Sequence, residues 1–207
     1  MLTPVVRALL LINGAAFLAE LVYAGPLISW FALWPSGLLA PTGAASGVPQ
    51  LWPWQIITYS FLHGGLLHLA LNMYALWLFG SRLESLWGGR VFAAYYFTCV
   101  IGAAVAQLVV SEISIMQGAA AYPVLGASGG VFGLLLAFGM VFPETRLMLL
   151  FPPIPIKAKW FVIGYGAIEL LAGVTGTMEG IAHFAHLGGM VTGFILLRYW
   201  GSRPPRI

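Results

Sequence analysis

Charged side chains are scarce in this sequence. Only 7% of the 207 residues are charged and 60% are hydrophobic, whereas a soluble globular domain carries roughly 25% charged residues. So few charges cannot cover the surface of a water-soluble domain of this length. The apolar runs are long and rich in Leu, Ala and Gly, and they lack the alternation that is typical of barrel strands. The composition therefore predicts an all-α membrane protein, in which about 20 apolar residues cross the bilayer as a helix.

Two further absences exclude whole classes of site. The single cysteine, Cys99, lies in an apolar run, so it can form no internal disulfide and we expect a packed, inert thiol. The sequence has no aspartate and no His-Glu-x-x-His motif, which excludes a Ser-His-Asp triad, an aspartyl protease and a zinc metalloprotease of that type. We therefore expect no metal and no cofactor. The basic residues are scattered rather than clustered, so we expect no nucleic-acid partner.

Six apolar ranges predict six transmembrane helices in one polytopic domain that covers residues 1–207. The predicted spans are about 5–23, 64–81, 91–110, 126–142, 160–174 and 181–200. The first range has no convincing cleavage site, so we expect a retained helix rather than a signal peptide. Between the first two spans, residues 25–61 are rich in Pro, Gly and Trp. Tryptophan favours the membrane interface, so the pattern predicts a long interfacial first loop.

All basic residues fall on one side of this six-span arrangement. They are Arg7, Arg82, Arg90, Arg146, Lys157, Lys159, Arg198, Arg203 and Arg206. The positive-inside bias places that side, with both termini, in the cytoplasm and the long loop outside. The compact six-span form predicts an integral protein of a prokaryotic plasma membrane, with the lipid bilayer as its environment. The oligomeric state is not indicated.

Polar side chains inside predicted spans are costly and therefore mark candidate sites. His68 and Asn72 lie in the outer half of the second span, Ser128 begins the fourth, and His186 lies near the outer end of the sixth. With a rise of about 1.5 Å per residue, each lies within roughly 15 Å of the outer surface. Side chains at matching depths on different helices can meet, so the pattern predicts one polar site near that surface.

Ser128 is the candidate nucleophile. Gly126 and Gly129 flank it, and glycines permit a tight turn and the close approach of a substrate. A helix that begins at this serine offers unpaired N–H groups to a developing oxyanion. The structural alternative is a serine that caps its own helix in a glycine-rich packing face.

His186 is the candidate base. It shares one helix face with Gly189 and Gly193, because the three residues follow a spacing of three and four. Small residues at this spacing let two membrane helices pack backbone to backbone, so the histidine is directed at a neighbouring helix. The structural alternative is a packing face that ends in an interfacial histidine.

His68 and Asn72 lie four residues apart and share a face. Both can donate hydrogen bonds to an oxyanion in a water-poor setting; the structural alternative is a pair that only holds helices together. His63 and His183 are interpreted as loop or supporting groups. Glu169 is the only acid well inside a span, and we expect a buried carboxyl that bonds to a neighbour. The alternative is a serine mechanism that borrows this distant acid as its third member.

Taken together and in order, these motifs resemble those of the rhomboid family of intramembrane serine proteases. They are His63-x4-His68-x3-Asn72, Gly126-x-Ser128-Gly129 and Ala185-His186-x-x-Gly189-x-x-x-Gly193. The resemblance extends over nearly the whole chain and implies a six-helix bundle. It implies that Ser128 is the nucleophile and His186 its general base and acid, a Ser-His dyad. It also implies that the Ser128 backbone N–H, His68 and Asn72 stabilise the oxyanion, and that transmembrane protein substrates are cleaved.

The sequence departs from the family pattern at two places. Trp54-Gln55 stands where rhomboids often have a Trp-Arg pair, which weakens expectations about the anchoring of the first loop. Phe132 stands where some members have a tyrosine one turn after the serine. Phenylalanine can stack on the histidine but cannot form a hydrogen bond with it, so we expect packing alone to orient His186.

Two alternatives remain open at the sequence level. The first is a catalytically inactive rhomboid-like protein that binds membrane helices; retention of both Ser128 and His186 argues against it. The second is a small transporter or channel that uses the histidines as a proton or metal path. In that case polar residues should continue to the cytoplasmic side, whereas here they stop in the outer half.

Overall fold

The computed structural model describes residues 2–36, 49–148, 153–177 and 182–201. Helix α1 spans Pro4–Phe31 and is kinked at Tyr23, where the backbone leaves helical geometry (φ −127°, ψ 39°), three residues before Pro26. A proline inside a helix removes one backbone hydrogen bond and clashes with the preceding turn, which accounts for the kink. The predicted loop at 25–61 therefore begins as helix, and this part of the prediction was wrong.

The remaining elements follow in chain order. Helix α2 (Gln55–Thr58) continues as a 3-10 turn (Tyr59–Phe61). A continuous helix follows, made of α3 (Leu66–Ala75), a π-helical turn (Leu76–Gly80) and α4 (Ser81–Trp87). Then come α5 (Gly89–Met116), α6 (Ser128–Val141), strands β1 (Arg146–Met148) and β2 (Pro155–Lys157), α7 (Ala158–Thr175) and α8 (His183–Trp200). The two short strands pair antiparallel, with Leu147 opposite Ile156.

Three of the described helices, α1, α5 and α7, are long and apolar enough to cross a membrane by themselves. A fourth crossing is obtained if two helical segments, Gln55–Phe61 and Leu66–Trp87, count as one span; the chain bends by 101° between them. The helical membrane bundle is confirmed as the fold class, whereas the count of six crossings stays a prediction. Residues 37–48 of the predicted first loop, and residue 181 at the predicted start of the last span, lie outside the described residues.

Helices α5, α6 and α8 pack closely because glycines line their contacts. A Cβ atom on Gly189 of α8 would lie 2.8 Å from the backbone carbon of Gly129 on α6. A Cβ on Gly193 would lie 3.0 Å from the Tyr95 ring and 3.1 Å from the Cys99 sulfur of α5. Only glycine permits these approaches, so the backbones of α6 and α8 touch directly behind Ser128. Cys99 itself is fully buried.

Charged side chains and their partners mark one end of the bundle. Glu84 of α4 accepts hydrogen bonds from the first turn of α1, including the Val5 and Val6 N–H groups at 2.9 and 2.8 Å. The Arg82 guanidinium lies 5.8 Å from the centre of the Phe142 ring, just after α6 ends. We call this end the basic side and the opposite end the outer side. Ser128 begins α6 at the outer side.

Candidate active site

Gly126 shapes the turn that presents Ser128. Its φ of 128° is unfavourable for residues with a side chain, and its N–H donates to the Tyr59 carbonyl at 2.9 Å. Tyr59 is anchored in turn, because its hydroxyl donates to the Val100 carbonyl at 2.8 Å. A Cβ on Gly126 would lie 2.8 Å from His68 Cε1. The glycine therefore makes room for a histidine beside the serine.

Ser128 and His186 are brought into contact across α6 and α8. The Ser128 Oγ lies 2.8 Å from His186 Nε2. The serine is half-buried and the histidine is 8% exposed. When His186 carries its proton on Nδ1, the serine hydroxyl donates to Nε2, and this is the arrangement in which a histidine can take the hydroxyl proton. The pair can act as a nucleophile and its base.

Phe132 lies one turn after Ser128 and covers the face of His186. The two ring centroids are 4.1 Å apart and the planes differ by 6°. The expected stacking is present in the structure. Packing is not the only contact on this ring, however, because a carboxylate lies at its other nitrogen.

Glu169 of α7 lies between the two histidines of α8. Its Oε2 lies 2.6 Å from His183 Nδ1 and 2.9 Å from His186 Nδ1. The contact with His183 has hydrogen-bond geometry, whereas the contact with His186 has the distance of an ion pair without the alignment of a hydrogen bond. Apo active-site contacts are often poorly aligned and tighten with substrate. The His186 ring therefore has a charged neighbour as well as a stacked one, and which of them orients it stays a prediction.

The same three side chains have the composition of a metal site, and their ligand atoms lie within 4.8 Å of one another. Donor atoms around a tetrahedral zinc ion with bonds of about 2.0–2.1 Å would lie about 3.3 Å apart. Here Glu169 Oε2 is 2.6 and 2.9 Å from the two imidazole nitrogens. These separations fit hydrogen-bonded partners better than ligands spread around an ion.

The two predicted oxyanion donors, His68 and Asn72, both lie on α3. A Cβ atom placed on Gly126 would lie 3.0 Å from His68 Nε2 and 3.7 Å from Ser128 Oγ. His68 therefore adjoins the serine, with the glycine beside both side chains. Asn72 is buried, with 6% of its surface exposed, and its amide donates to the His68 carbonyl at 3.0 Å. In this arrangement the Asn72 amide bonds within its own helix.

His63 supports the turn rather than the reacting groups. Its Nε2 accepts from the Ala127 N–H at 3.5 Å, and its own backbone N–H donates to Glu20 Oε2 at 3.0 Å. The rings of His63 and His68 meet edge to face, with centroids 5.1 Å apart. These contacts link α1, the turn before Ser128 and α3.

Gln55 anchors the described part of the first loop. Its side chain is fully buried; its amide donates to the Trp30 carbonyl at 3.3 Å and its carbonyl oxygen accepts from the Trp52 N–H at 3.3 Å. The Trp52 ring stacks on Trp30 and on Trp54, with centroids 6.1 and 5.0 Å away. A neutral amide therefore bridges the loop segments at the position where rhomboids often have arginine.

Glu169 and His183 are the site residues that sequence reasoning underestimated. One signal for them was present, because Glu169 lies in the outer half of its span, at a depth that matches the two histidines. A second was the spacing of His183 and His186, which puts both on one helix face. The rotation of α7 that turns Glu169 towards them has no sequence signature.

The fold and the Ser128–His186 pair define a helical membrane protein with a serine and a histidine in contact near one end of the bundle. A family model described as the Rhomboid domain matches residues 50–203, which is more than half of the chain. The chain belongs to the rhomboid family.

Known relatives agree with this assignment. The chain is 32% identical over 147 residues to "Rhomboid protein 1, mitochondrial" of Saccharomyces cerevisiae, covering 68% of this chain and 40% of the yeast protein. It is 32% identical over 157 residues to the human "Presenilin-associated rhomboid-like protein, mitochondrial", covering 72% and 39%. For "RHOMBOID-like protein 6, mitochondrial" of Arabidopsis thaliana the identity is 31% over 143 residues, covering 69% and 42%.

Two consequences follow from these relatives. The chain spans about two fifths of the length of the curated proteins that it matches. All three are named as mitochondrial proteins, which contradicts the expectation of a prokaryotic plasma membrane. That expectation is wrong, and the cytoplasmic assignment of the two termini falls with it.

Proposed function

We propose that this chain is an intramembrane serine protease that hydrolyses peptide bonds in or near transmembrane segments of membrane proteins. The observation that carries the proposal is the 2.8 Å contact between Ser128 Oγ and His186 Nε2, which lies inside a bundle of apolar helices. Membership of the rhomboid family adds support. A serine beside a histidine is the minimum needed for nucleophilic catalysis.

In the proposed reaction, Ser128 Oγ attacks the carbonyl carbon of the scissile bond and its proton passes to His186 Nε2. The protonated histidine then gives that proton to the leaving amine, so the peptide bond breaks and an acyl-enzyme remains. Water attacks the acyl-enzyme by the same route in reverse and restores the serine. No cofactor enters these steps.

The negative oxygen of each tetrahedral intermediate needs donors in a fixed position. We assign this role to the Ser128 backbone N–H and to the side chains of His68 and Asn72. The first belongs to the opening residue of α6, whose N–H has no acceptor within its own helix, and His68 adjoins the serine across Gly126. Asn72 has to turn its amide away from the His68 carbonyl, which accepts its hydrogen bond in the substrate-free arrangement.

The partners of this activity are transmembrane protein substrates and the surrounding lipid. The exposed surface of the long helices is apolar, with side chains such as Leu11, Val105 and Leu171 at 67%, 52% and 65% exposure, which suits contact with lipid chains. The names of the relatives favour a mitochondrial membrane as the location. Detection of the protein in purified mitochondria of its source, with antibodies against the chain, tests that location.

A fluorophosphonate probe tests the proposed activity, because it labels only a serine that a base activates. The detergent-solubilised protein should be labelled and should cleave a model transmembrane substrate, and Ser128→Ala and His186→Ala should do neither. Ser85→Ala is the matched control, since that hydroxyl donates to the Ser81 carbonyl of its own helix. Absence of labelling in the folded wild type would favour an inactive helix-binding protein, and labelling of Ser128→Ala would move the nucleophile elsewhere.

A further inference from the structure

Glu169, His183 and His186 form a buried cluster that a two-residue mechanism leaves unexplained. Their exposures are 6%, 7% and 8%. A carboxylate that is buried without partners costs several kcal/mol, so buried acids are found paired or hydrogen-bonded. Here one carboxylate oxygen, Glu169 Oε2, faces the Nδ1 atoms of both imidazoles. The cluster connects α7 to the helix that carries the candidate base.

The position of Glu169 matters for the tautomer of His186. Imidazole Nδ1 lies next to a carboxylate oxygen that can only accept, so the proton of the neutral ring belongs on Nδ1. Nε2 is then left unprotonated, 2.8 Å from the Ser128 hydroxyl. This is the tautomer that a general base requires. The carboxylate also stabilises the positive ring that forms when His186 takes the serine proton.

His183 has a different place in the cluster. Its Nδ1 makes the aligned hydrogen bond to Glu169 at 2.6 Å, while its Nε2 has no partner among the described residues. His183 and His186 are three residues apart on α8, so the two rings approach the carboxylate from one helix face. A carboxylate held by His183 cannot rotate freely away from His186.

We propose, on the basis of the proposed protease function, that Glu169 is a positioning residue that fixes the tautomer and orientation of His186, and that His183 holds Glu169 in place. The site then works as a Ser128–His186–Glu169 triad with a second histidine behind it, rather than as an isolated dyad. No aspartate is needed, because the acid comes from the neighbouring helix.

The test compares kcat and KM for a model transmembrane substrate in Glu169→Gln and wild type. The glutamine keeps the shape but removes the charge, and its NH2 group can impose the wrong tautomer. Loss of the acid in a triad lowers kcat by about 10⁴-fold, so we expect a fall of about 10²- to 10⁴-fold with KM nearly unchanged. The rate of fluorophosphonate labelling should fall in parallel. His183→Gln should give a smaller fall in kcat, because it loosens Glu169 without removing it.

Two controls separate positioning from structural support. Glu112→Gln changes a buried acid on α5 that accepts from Ser36 Oγ at 2.6 Å; it should lower the melting temperature without lowering kcat. The second control is the melting temperature of Glu169→Gln itself, which should not fall further than that of Glu112→Gln. Equal falls in kcat in the two variants would indicate a structural role for Glu169 and overturn the proposal.

The outcomes also distinguish this proposal from the protease function itself. If Ser128→Ala abolishes cleavage while Glu169→Gln keeps the wild-type kcat, the enzyme is a dyad and only the role of Glu169 is refuted. If Ser128→Ala still cleaves, the proposed function fails first. Loss of wild-type activity in EDTA, restored by zinc, would show that the cluster holds a metal ion and would overturn the positioning role.

Discussion

The Phe132 ring lies parallel to the imidazole of His186, with 4.1 Å between the ring centroids. The two residues belong to different helices, α6 and α8, and the stacking occurs one turn below the Ser128 hydroxyl. It limits tilting of the imidazole out of the plane in which Nε2 faces the serine. Glu169 limits rotation within that plane through Nδ1. Two neighbours therefore restrict different motions of the same ring.

Replacing Phe132 by alanine should lower kcat by about 2- to 10-fold and leave KM almost unchanged. The estimate follows from the roughly 0.5–1.5 kcal/mol of a stacked aromatic pair beyond its burial. Phe132→Tyr should keep most of the activity because the ring remains. Steady-state kinetics on a model transmembrane substrate measure both values.

Phe142→Ala is the control for this prediction. Phe142 packs on Phe138 at the basic side, with centroids 5.1 Å apart, so its loss should reduce thermal stability without lowering kcat. Equal losses of kcat in Phe132→Ala and Phe142→Ala would mean that stacking on His186 has no separate catalytic effect.

The sequence predicted the partners of this site better than it predicted their orientation. Ser128 and His186 could be paired because each lies within a few residues of the outer end of its predicted span. Their depths follow from the number of residues between them and that end. Glu169 matches them in depth as well, but whether its side chain faces the histidines of α8 depends on the rotation of α7 about its own axis. The rotation of α7 is set by packing contacts such as that of Gly173, where a Cβ would lie 3.2 Å from the Cβ of His183, and only the three-dimensional arrangement reveals them.

The first loop shows a second limit. Its tryptophans predicted an interfacial segment, and three of the rings form a stack centred on Trp52. The helical continuation of α1 to Phe31 was missed because Gly25 and Pro26 are strong breakers in isolation. Tertiary contacts override them here: the Trp30 carbonyl accepts hydrogen bonds from both Trp54 Nε1 and Gln55 Nε2, which holds the end of α1 against α2.

Gly189→Ala should lower both activity and stability. The new Cβ would lie 2.8 Å from the Gly129 carbonyl carbon and 3.3 Å from its Cα, and backbone atoms cannot move aside as a flexible side chain can. Helix α8 would have to shift away from α6, which separates His186 from Ser128. Overpacking of this kind typically costs about 1–3 kcal/mol, and we expect at least about a 100-fold loss of kcat, since small misplacements have effects of that order.

Gly164→Ala on α7 is the matched control, because a Cβ there meets nothing within 4 Å. Its melting temperature should equal or exceed that of the wild type, and its kcat should be unchanged. A Gly189→Ala protein with wild-type kcat would show that the direct contact of the two backbones is not needed to hold the catalytic pair.

Glu144 should give the basic side a small dependence of stability on pH. Hydrogen bonds from Lys157 and Lys159 hold the pKa of this exposed carboxyl at about 2, below its ordinary value of 4.5. The depressed pKa means that the folded state favours the ionised form. The stabilisation is therefore fully present above about pH 4.5 and is lost as the pH falls towards 2.

Melting temperatures of wild type and Glu144→Gln, compared from pH 7 to pH 2, measure this effect. The wild type should melt higher at neutral pH by at most about 2 °C, because exposed ion pairs contribute little, and the difference should vanish by about pH 2. Added salt should reduce it at pH 7. A difference that grows on acidification would have the wrong sign and would contradict the assigned ion pairs.

Asn72→Ala should lower kcat by about 10- to 1000-fold without abolishing cleavage, the range expected for the loss of one oxyanion donor. Steady-state kinetics on a model transmembrane substrate measure the change.

Asn13→Ala is the matched control for Asn72→Ala. Asn13 is also a buried helical asparagine, and its amide donates to the carbonyl four residues earlier, Leu9, at 2.8 Å, as Asn72 donates to His68 at 3.0 Å. The two substitutions remove the same kind of intrahelical bond, so they should have similar effects on melting temperature. Only the one on α3 should change kcat, because only that amide is assigned to the oxyanion. Similar kcat values for both variants would show that Asn72 is a structural residue and would leave the oxyanion to the Ser128 N–H and His68.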